Sequence, residues 1–496
     1  MKKQALLILI VFFLKAAVFS QGCLPNGITF TTQEEIDNFQ TDYPGCTLIE
    51  GDLNITGSNI TNLIGLNVLT VIGERLYIYD NSLLSNLEGL NNITSIGNDL
   101  FIFRNDTLAS VASLNNLTTI GGALFIHKNN KIIDLEGLNN LSAIGTYLRV
   151  SSNNSLSSLS GLTNITVIEE YIDITDNNAL VSLTGLNSIT NINENVTVFS
   201  NDALTSLEGL NNLSTIDGKL LIESNDTFTN LLGLNNLSTI GGDLDIILNN
   251  SLINLEGLNN VFSVGGDLLV WSNQSLTSLE GLNNLTTVGG LTIKYTSALT
   301  SLTGLNNLTV ISEGIRLSQN YALISLEGLN NLTTIGGGIF INSNMALVNI
   351  EGLANNNTET ISGIYIIGNN SLSICNANTI CQYIANTNNN LVIAENATGC
   401  NSAAEVEEAC LVSVESYYGE NETSIYPNPS KNKLFLSSKN GVVINEVNIY
   451  NQLGQIVLHE HIINGCVNIS TLENGIYFIE LITDRILIRK KLIVEK

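Results

Sequence analysis

A four-residue signature, Leu/Ile-x-Gly-Leu, returns along this chain at a nearly fixed interval. Its glycine falls at Gly65, Gly89, Gly137, Gly161, Gly185, Gly209, Gly233, Gly257, Gly281, Gly304, Gly328 and Gly352, with Ser113 in the vacant place. Each step is 24 residues except the one from 281 to 304, which is 23. A compact globular domain has no use for such a period, whereas a chain that coils and buries each turn against the next requires it. The unit from Leu255 to Leu276 spells the rule in full: L-x-G-L-N-N-V-x-x-V-G-G-D-L-x-V-x-x-N-x-x-L.

Within the unit the apolar residues change period. Leu268 and Val270, like Leu100 and Ile102, alternate as a strand with one buried face does. The other apolar positions recur about every third residue, facing one interior from several sides. The glycine permits a tight corner or a positive φ. An Asn follows each strand, at Asn81, Asn105, Asn129, Asn153, Asn177, Asn201, Asn225, Asn249, Asn273, Asn320, Asn344 and Asn369, with Thr296 replacing it in the shortened unit. Stacked coils bring these amides into a column that can bond the backbone of neighbouring turns. A structural ladder is the expected role, and a ligand-binding column is the alternative. The fold is therefore expected to be mainly β, a parallel β-helix of about 13 coils with one strand per turn.

Export is expected from the N-terminus. Lys2 and Lys3, the apolar run Ala5 to Leu14, and Ser20 before Gln21 read as a signal peptide over residues 1–20. That run is too short to span a bilayer, so no transmembrane segment is expected in the mature chain. Ser20-Gln21-Gly22 before Cys23 is a poor lipidation motif. Disulfides are available outside the cytoplasm, and all seven cysteines lie outside the repeats. Cys23 and Cys46 form an expected pair. Cys375, Cys381, Cys400 and Cys410 allow three pairings, and Cys466 stands near the C-terminus.

Two caps would close the open core of the repeat region, 51–374. One covers 21–50, with a short helix from Thr32 (the N-cap) to Phe39, and the other is the Cys-rich 375–410. Cys375-x5-Cys381 is not a zinc spacing, and no metal or other cofactor is expected. Acidic residues outnumber basic ones 45 to 19, which argues against nucleic acid and an anionic membrane surface as partners.

Past Cys410 the period stops. A linker over 411–423 leads to Tyr426-Pro427-Asn428-Pro429 and to alternating segments at 433–437, 443–450, 455–459, 476–481 and 486–494. These read as a small antiparallel β-sandwich over 424–496. The longer repeat pattern, L-x-x-I-x-G-x-L-x-I-x-x-N-x-x-L-x-x-L, resembles the receptor L domain of insulin- and growth-factor-receptor ectodomains over about residues 46–375. Its L-x-I-x-x-N-x-x-L core resembles leucine-rich repeats.

The C-terminal segment resembles the type A sorting domain of the type IX secretion system of Bacteroidetes. The resemblance rests on Tyr426-Pro427-Asn428-Pro429, on Val447-Asn448-Ile449-Tyr450-Asn451 with Gly454-Gln455, on Leu472 with Gly475-Ile476-Tyr477-Phe478, and on the basic Arg489-Lys490-Lys491-Leu492. It implies passage through the periplasm and recognition by the type IX machinery as a partner. It also implies removal of the domain, followed by release of the rest or its attachment to the outer-membrane surface.

Catalytic groups are scarce. The chain holds three histidines, His127, His459 and His461, and no G-x-S-x-G, H-E-x-x-H or phosphate loop. Asp173, Asp176 and Glu223 are too scattered to act as an acid–base set. No enzyme is expected; a polysaccharide-active β-helix is the alternative. The repeat varies at its outward strand positions, where Tyr77, Phe101 and Phe125 fall in one column and Tyr79, Phe103 and His127 in the next. These rings either bind, since an apolar patch on a solvent face marks an interaction site, or stack and reinforce the sheet. The expected function is a secreted or surface-attached binding or adhesion protein whose strand face recognises a glycan or a protein. A structural spacer is the further alternative.

Overall fold

The computed structural model describes residues 22–386, 390–417, 423–438, 443–451, 455–462, 465–483 and 487–496. The expected signal peptide and Gly454 lie outside the described residues. The chain divides into two compact units, Met1–Tyr321 and Ala322–Lys496.

In the first unit each regular coil carries two strands where one was expected. The long one has four residues, as in Leu100–Phe103, and the short one two, as in Ser95–Ile96. Both pair in parallel and in register with the neighbouring coils: Leu100 faces Leu124, and Ile96 faces Ile120. A two-residue strand shows no alternation, and its inward Ile also fits the three-residue spacing, so the second ladder has no signature of its own in the sequence.

The three-residue spacing has a backbone cause. The Leu90 N–H donates to the Leu87 carbonyl at 3.0 Å and the Ile93 N–H to the Leu90 carbonyl at 3.1 Å, so the chain turns tightly and returns a side chain inward every third residue. One coil thus buries Leu84, Leu87, Leu90, Ile93, Ile96, Leu100 and Ile102. Each such burial is worth about 1.5–3 kcal/mol before entropy.

The glycine corner takes two forms. In one, Gly209 has φ +118, and a Cβ there would lie 2.0 Å from the Leu183 carbonyl oxygen. In the other, Ile64–Leu66, Ala112–Leu114 and Ser160–Leu162 are single 3₁₀ turns. A 3₁₀ corner needs no positive φ, which is how Ser113 substitutes for glycine.

At the N-terminal end the helix Gln33–Asp42 carries a full capping box between Thr32 and Glu35 and buries Ile36 and Phe39. Strand Ile28–Phe30 pairs with Leu53–Ile55 and so extends the long ladder into the cap. Cys23 is bonded to Cys46, as expected.

In the second unit, strands Ile339–Asn342, Ile364–Ile367 and Leu391–Ala394 pair in parallel. The last belongs to the region read only as a cap. Cys375 bonds Cys400 and Cys381 bonds Cys410, selecting one of the three pairings. The helix Ala403–Tyr417 runs past Cys410, so residues 411–417 are helical where a linker was expected.

The rest is antiparallel. One sheet joins Thr423–Tyr426, Lys433–Ser438 and Cys466–Asn468, and the other joins Ile456–His461, Ile444–Tyr450, Gly475–Thr483 and Leu487–Val494. Leu434, Val447, Ile449, Val467, Ile479 and Leu492 belong to their shared core. The strands Thr423–Tyr426 and Cys466–Asn468 carry no clear alternation and went unforeseen. Among the described residues, no helix is long and apolar enough to cross a membrane.

Candidate functional site

The buried asparagines define the inner edge of the strand face. Asn105 donates from Nδ2 to the Ile78 carbonyl at 2.8 Å, while its Oδ1 accepts the backbone N–H and the Nδ2 of Asn81, both at 3.1 Å. The same pattern repeats coil by coil, and the ladder asparagines are fully buried. Their side-chain donors and acceptors are engaged within the ladder, so this column holds the coil together. In the second unit Asn369 is received by Asn396, which stands 27 residues on and so escapes a 24-residue count. The residue before each ladder Asn, from Asp80 to Ser343, adopts a positive φ between 53° and 59°.

Other polar repeat positions have comparable duties. Asn91 Oδ1 accepts the Gly89 N–H, and Asn92 Nδ2 donates to the Asn67 carbonyl of the previous coil. The scattered aspartates are caps of the same kind: Asp99 Oδ1 accepts the Ala123 N–H at 2.8 Å and Asp243 Oδ1 the Asp267 N–H at 2.9 Å. Among the described residues, no group of His, Cys, Asp or Glu could hold a metal ion.

Outside the ladder, the long strands carry the aromatic columns. Tyr77 stacks on Phe101 and Tyr79 on Phe103, each with centroids 4.9 Å apart. Phe125 meets Phe101 edge-on at 5.7 Å and lies nearly parallel to His127 at 5.4 Å. Parallel in-register strands impose this, because equivalent side chains of adjacent coils are held one strand spacing apart.

The strip is longer than the sequence reading made it. Tyr147 and Tyr171 stack at 4.6 Å on the next two coils. They stand two residues ahead of the first column, so the same alternation (Tyr147, Arg149, Ser151) would have found them. All eight rings are half-buried.

Three ion pairs border the rings: Arg75–Asp99 at 2.9 Å, Arg104–Asp80 at 2.8 Å and Arg149–Asp173 at 3.1 Å. Arg104 also lies over Phe103 at 5.4 Å and Arg149 over Phe125 at 5.7 Å. The rings thus cover one another's faces, and edges, phenol hydroxyls and guanidinium groups remain for a partner. Burial pushes the phenols of Tyr77 and Tyr147 up, and that of Tyr171 to about 12. Burial, with Lys128, Arg149 and Arg104 nearby, holds the His127 imidazolium below its ordinary value. The expected six residues are therefore brought together, as a stacked and charge-balanced strip.

In the C-terminal module the residues singled out in sequence are joined by Asn428. Its Oδ1 accepts the Ile493 N–H and its Nδ2 donates to the Lys491 carbonyl, both at 2.8 Å. The Tyr426-Pro427-Asn428-Pro429 turn thereby fixes the last strand, which carries Lys490 and Lys491. Gly475 opens the neighbouring strand, and Tyr477 donates its hydroxyl to the Glu473 carbonyl at 3.1 Å.

Three family models match segments of the chain. The receptor L domain matches residues 45–136, and the BspA-type leucine-rich repeat region matches residues 248–373 in six copies. The secretion system C-terminal sorting domain matches residues 424–495. A search of curated proteins finds no match. The C-terminal module is thus a type IX sorting domain, carried behind a solenoid of receptor-L and leucine-rich-repeat type, and it marks the chain for export to the cell surface or beyond.

Proposed function

We propose that the solenoid is a non-catalytic binding or adhesion module that engages a glycan or a protein through its long-strand face once the sorting domain has taken it out of the cell. The carrying observation is the strip of eight half-buried rings on consecutive coils, bordered by three arginines. Tyr, Phe and Arg are residue types enriched at recognition surfaces, and an apolar patch on a solvent face marks an interaction site. A non-catalytic role is supported by the acids on this face: Asp173 pairs with Arg149 and accepts the Thr175 hydroxyl, and Asp99 and Asp243 cap backbone amides.

The test replaces Tyr77, Phe101 and Phe125 together by Ala and compares the variant with the parent on a glycan array and on bacterial and host cells. Loss of a binding signal with the coil still folded supports the reading. Unchanged binding overturns the aromatic strip, and turnover of a polysaccharide overturns the non-catalytic assignment.

A further inference from the structure

A second, smaller site lies farther along the same face, where the repeat is one residue short. Trp271 is the single tryptophan of the chain. It stands in register between Ile247 and Lys294, whose Nζ sits 4.5 Å from the centre of its ring. Beside this row, in the positive-φ column, Leu248 and Tyr295 flank Ser272. That column otherwise carries mostly small or polar residues. Leu248 and Tyr295 hold a strained conformation while 37% and 39% exposed, which a bulky apolar side chain adopts only at a cost. They stand two coils apart, about 10 Å at ordinary strand spacing, with a serine between them. The result is an apolar notch with Trp271 at its side.

Charge decides what fits it. The arginines of the aromatic strip are neutralised by Asp99, Asp80 and Asp173, and Lys219 by Asp245. Among the described residues Lys294 meets no carboxylate, and only the indole face accompanies it. Lys294 thus holds an ammonium over a ring at the lip of an apolar notch with no carboxylate beside it, open to an anionic group. We propose that this notch takes a carboxylated sugar residue of an acidic polysaccharide. The apolar face of the ring lies between Leu248 and Tyr295, its carboxylate reaches Lys294, and the free Tyr295 hydroxyl is available to a sugar oxygen. The site is separate from the aromatic strip and does not depend on it.

Trp271 makes the test specific. The full chain is titrated with an oligogalacturonate and, in parallel, with a neutral cello-oligosaccharide, following indole fluorescence. The expected result is a saturable change with the uronate alone, weakened about ten-fold or more by Lys294→Gln and several-fold by Tyr295→Ser. It should be unaffected by the triple alanine replacement in the strip, so that failure of one site is distinguishable from failure of the other. No response to the uronate, an equal response to the neutral sugar, or full retention of binding in Lys294→Gln would overturn the assignment. A response to a Glu-rich peptide in place of the uronate would overturn it as well.

Discussion

Thr296 donates its hydroxyl to Asn320 Oδ1 at 2.6 Å and its backbone N–H to the same oxygen at 3.2 Å. It occupies the ladder position of the shortened coil, yet the spacing from the inward strand residues, Leu291 and Ile293, is the ordinary one. What Thr296 lacks is an amide oxygen pointing back. In the coils before it Asn225 and Asn249 receive such an acceptor for their backbone N–H, at 3.0 and 2.9 Å. Asn273, fully buried, does not. Thr296→Asn is therefore expected to stabilise the solenoid by about 1 kcal/mol, read as a higher denaturant midpoint at unchanged slope. A loss of stability would show that the missing residue had displaced the ladder.

Interrupting the ladder where it is complete should do the opposite. Asn201 donates to the Ile174 and Phe199 carbonyls at 2.9 and 3.0 Å, and its Oδ1 accepts the Asn177 N–H at 3.0 Å. Asn201→Ala removes both donations and leaves the Asn177 N–H without its acceptor in a dry interior, while the Phe199 carbonyl keeps the Asp176 N–H at 2.9 Å, and the change is expected to cost about 2 kcal/mol. Asn201→Asp preserves shape but loses both donors, so it should do no better. A mild effect of the Asp variant in chemical unfolding would mean that shape, not donation, holds the column.

The two corner forms separate two glycine substitutions that look alike in sequence. Gly209→Ser forces a side chain onto φ +118 with its Cβ 2.0 Å from a carbonyl oxygen, and should cost roughly 2–3 kcal/mol. Gly161→Ser enters a 3₁₀ turn and is spared the positive φ, but its Cβ would lie 1.8 Å from the Leu135 carbonyl oxygen, so it should still cost about 1–2 kcal/mol, less than Gly209→Ser by the backbone strain alone. Equal thermal shifts in the two variants would contradict this.

These contrasts show where sequence was enough. The coil, the ladder asparagines, the capped N-terminal helix and the C-terminal module all follow from residue types repeated at fixed spacing or from motifs met in order. Asn396 escaped because the last coil is longer, and the short strands escaped because two residues cannot show a period. Tyr147 and Tyr171 lay one alternation outside the columns considered. The face geometry was out of reach for a different reason. Sequence places Tyr79 and Phe103 on adjacent coils, but only the register shows that their planes lie 6° apart and so cover each other.

His127 offers a reading of the strip in solution. Its Nδ1 lies 2.8 Å from Ser151 Oγ, its ring is stacked on Phe125, and Arg104, Lys128 and Arg149 surround it with positive charge. Burial first, and those cations after it, disfavour the imidazolium, so its folded pKa lies below the ordinary 6.5. A base with a depressed folded pKa binds its proton more readily when unfolded. Its neutral form therefore supports the fold above pH 6.5, and that support is lost as pH falls through the folded value. Proton NMR of the ring should show a midpoint below 6.5, and His127→Asn should flatten the fall in melting temperature over that acidic window while leaving the neutral-pH value nearly unchanged. A midpoint at or above 6.5 would mean that the aromatic strip is wetter, or less positive, than its packing indicates.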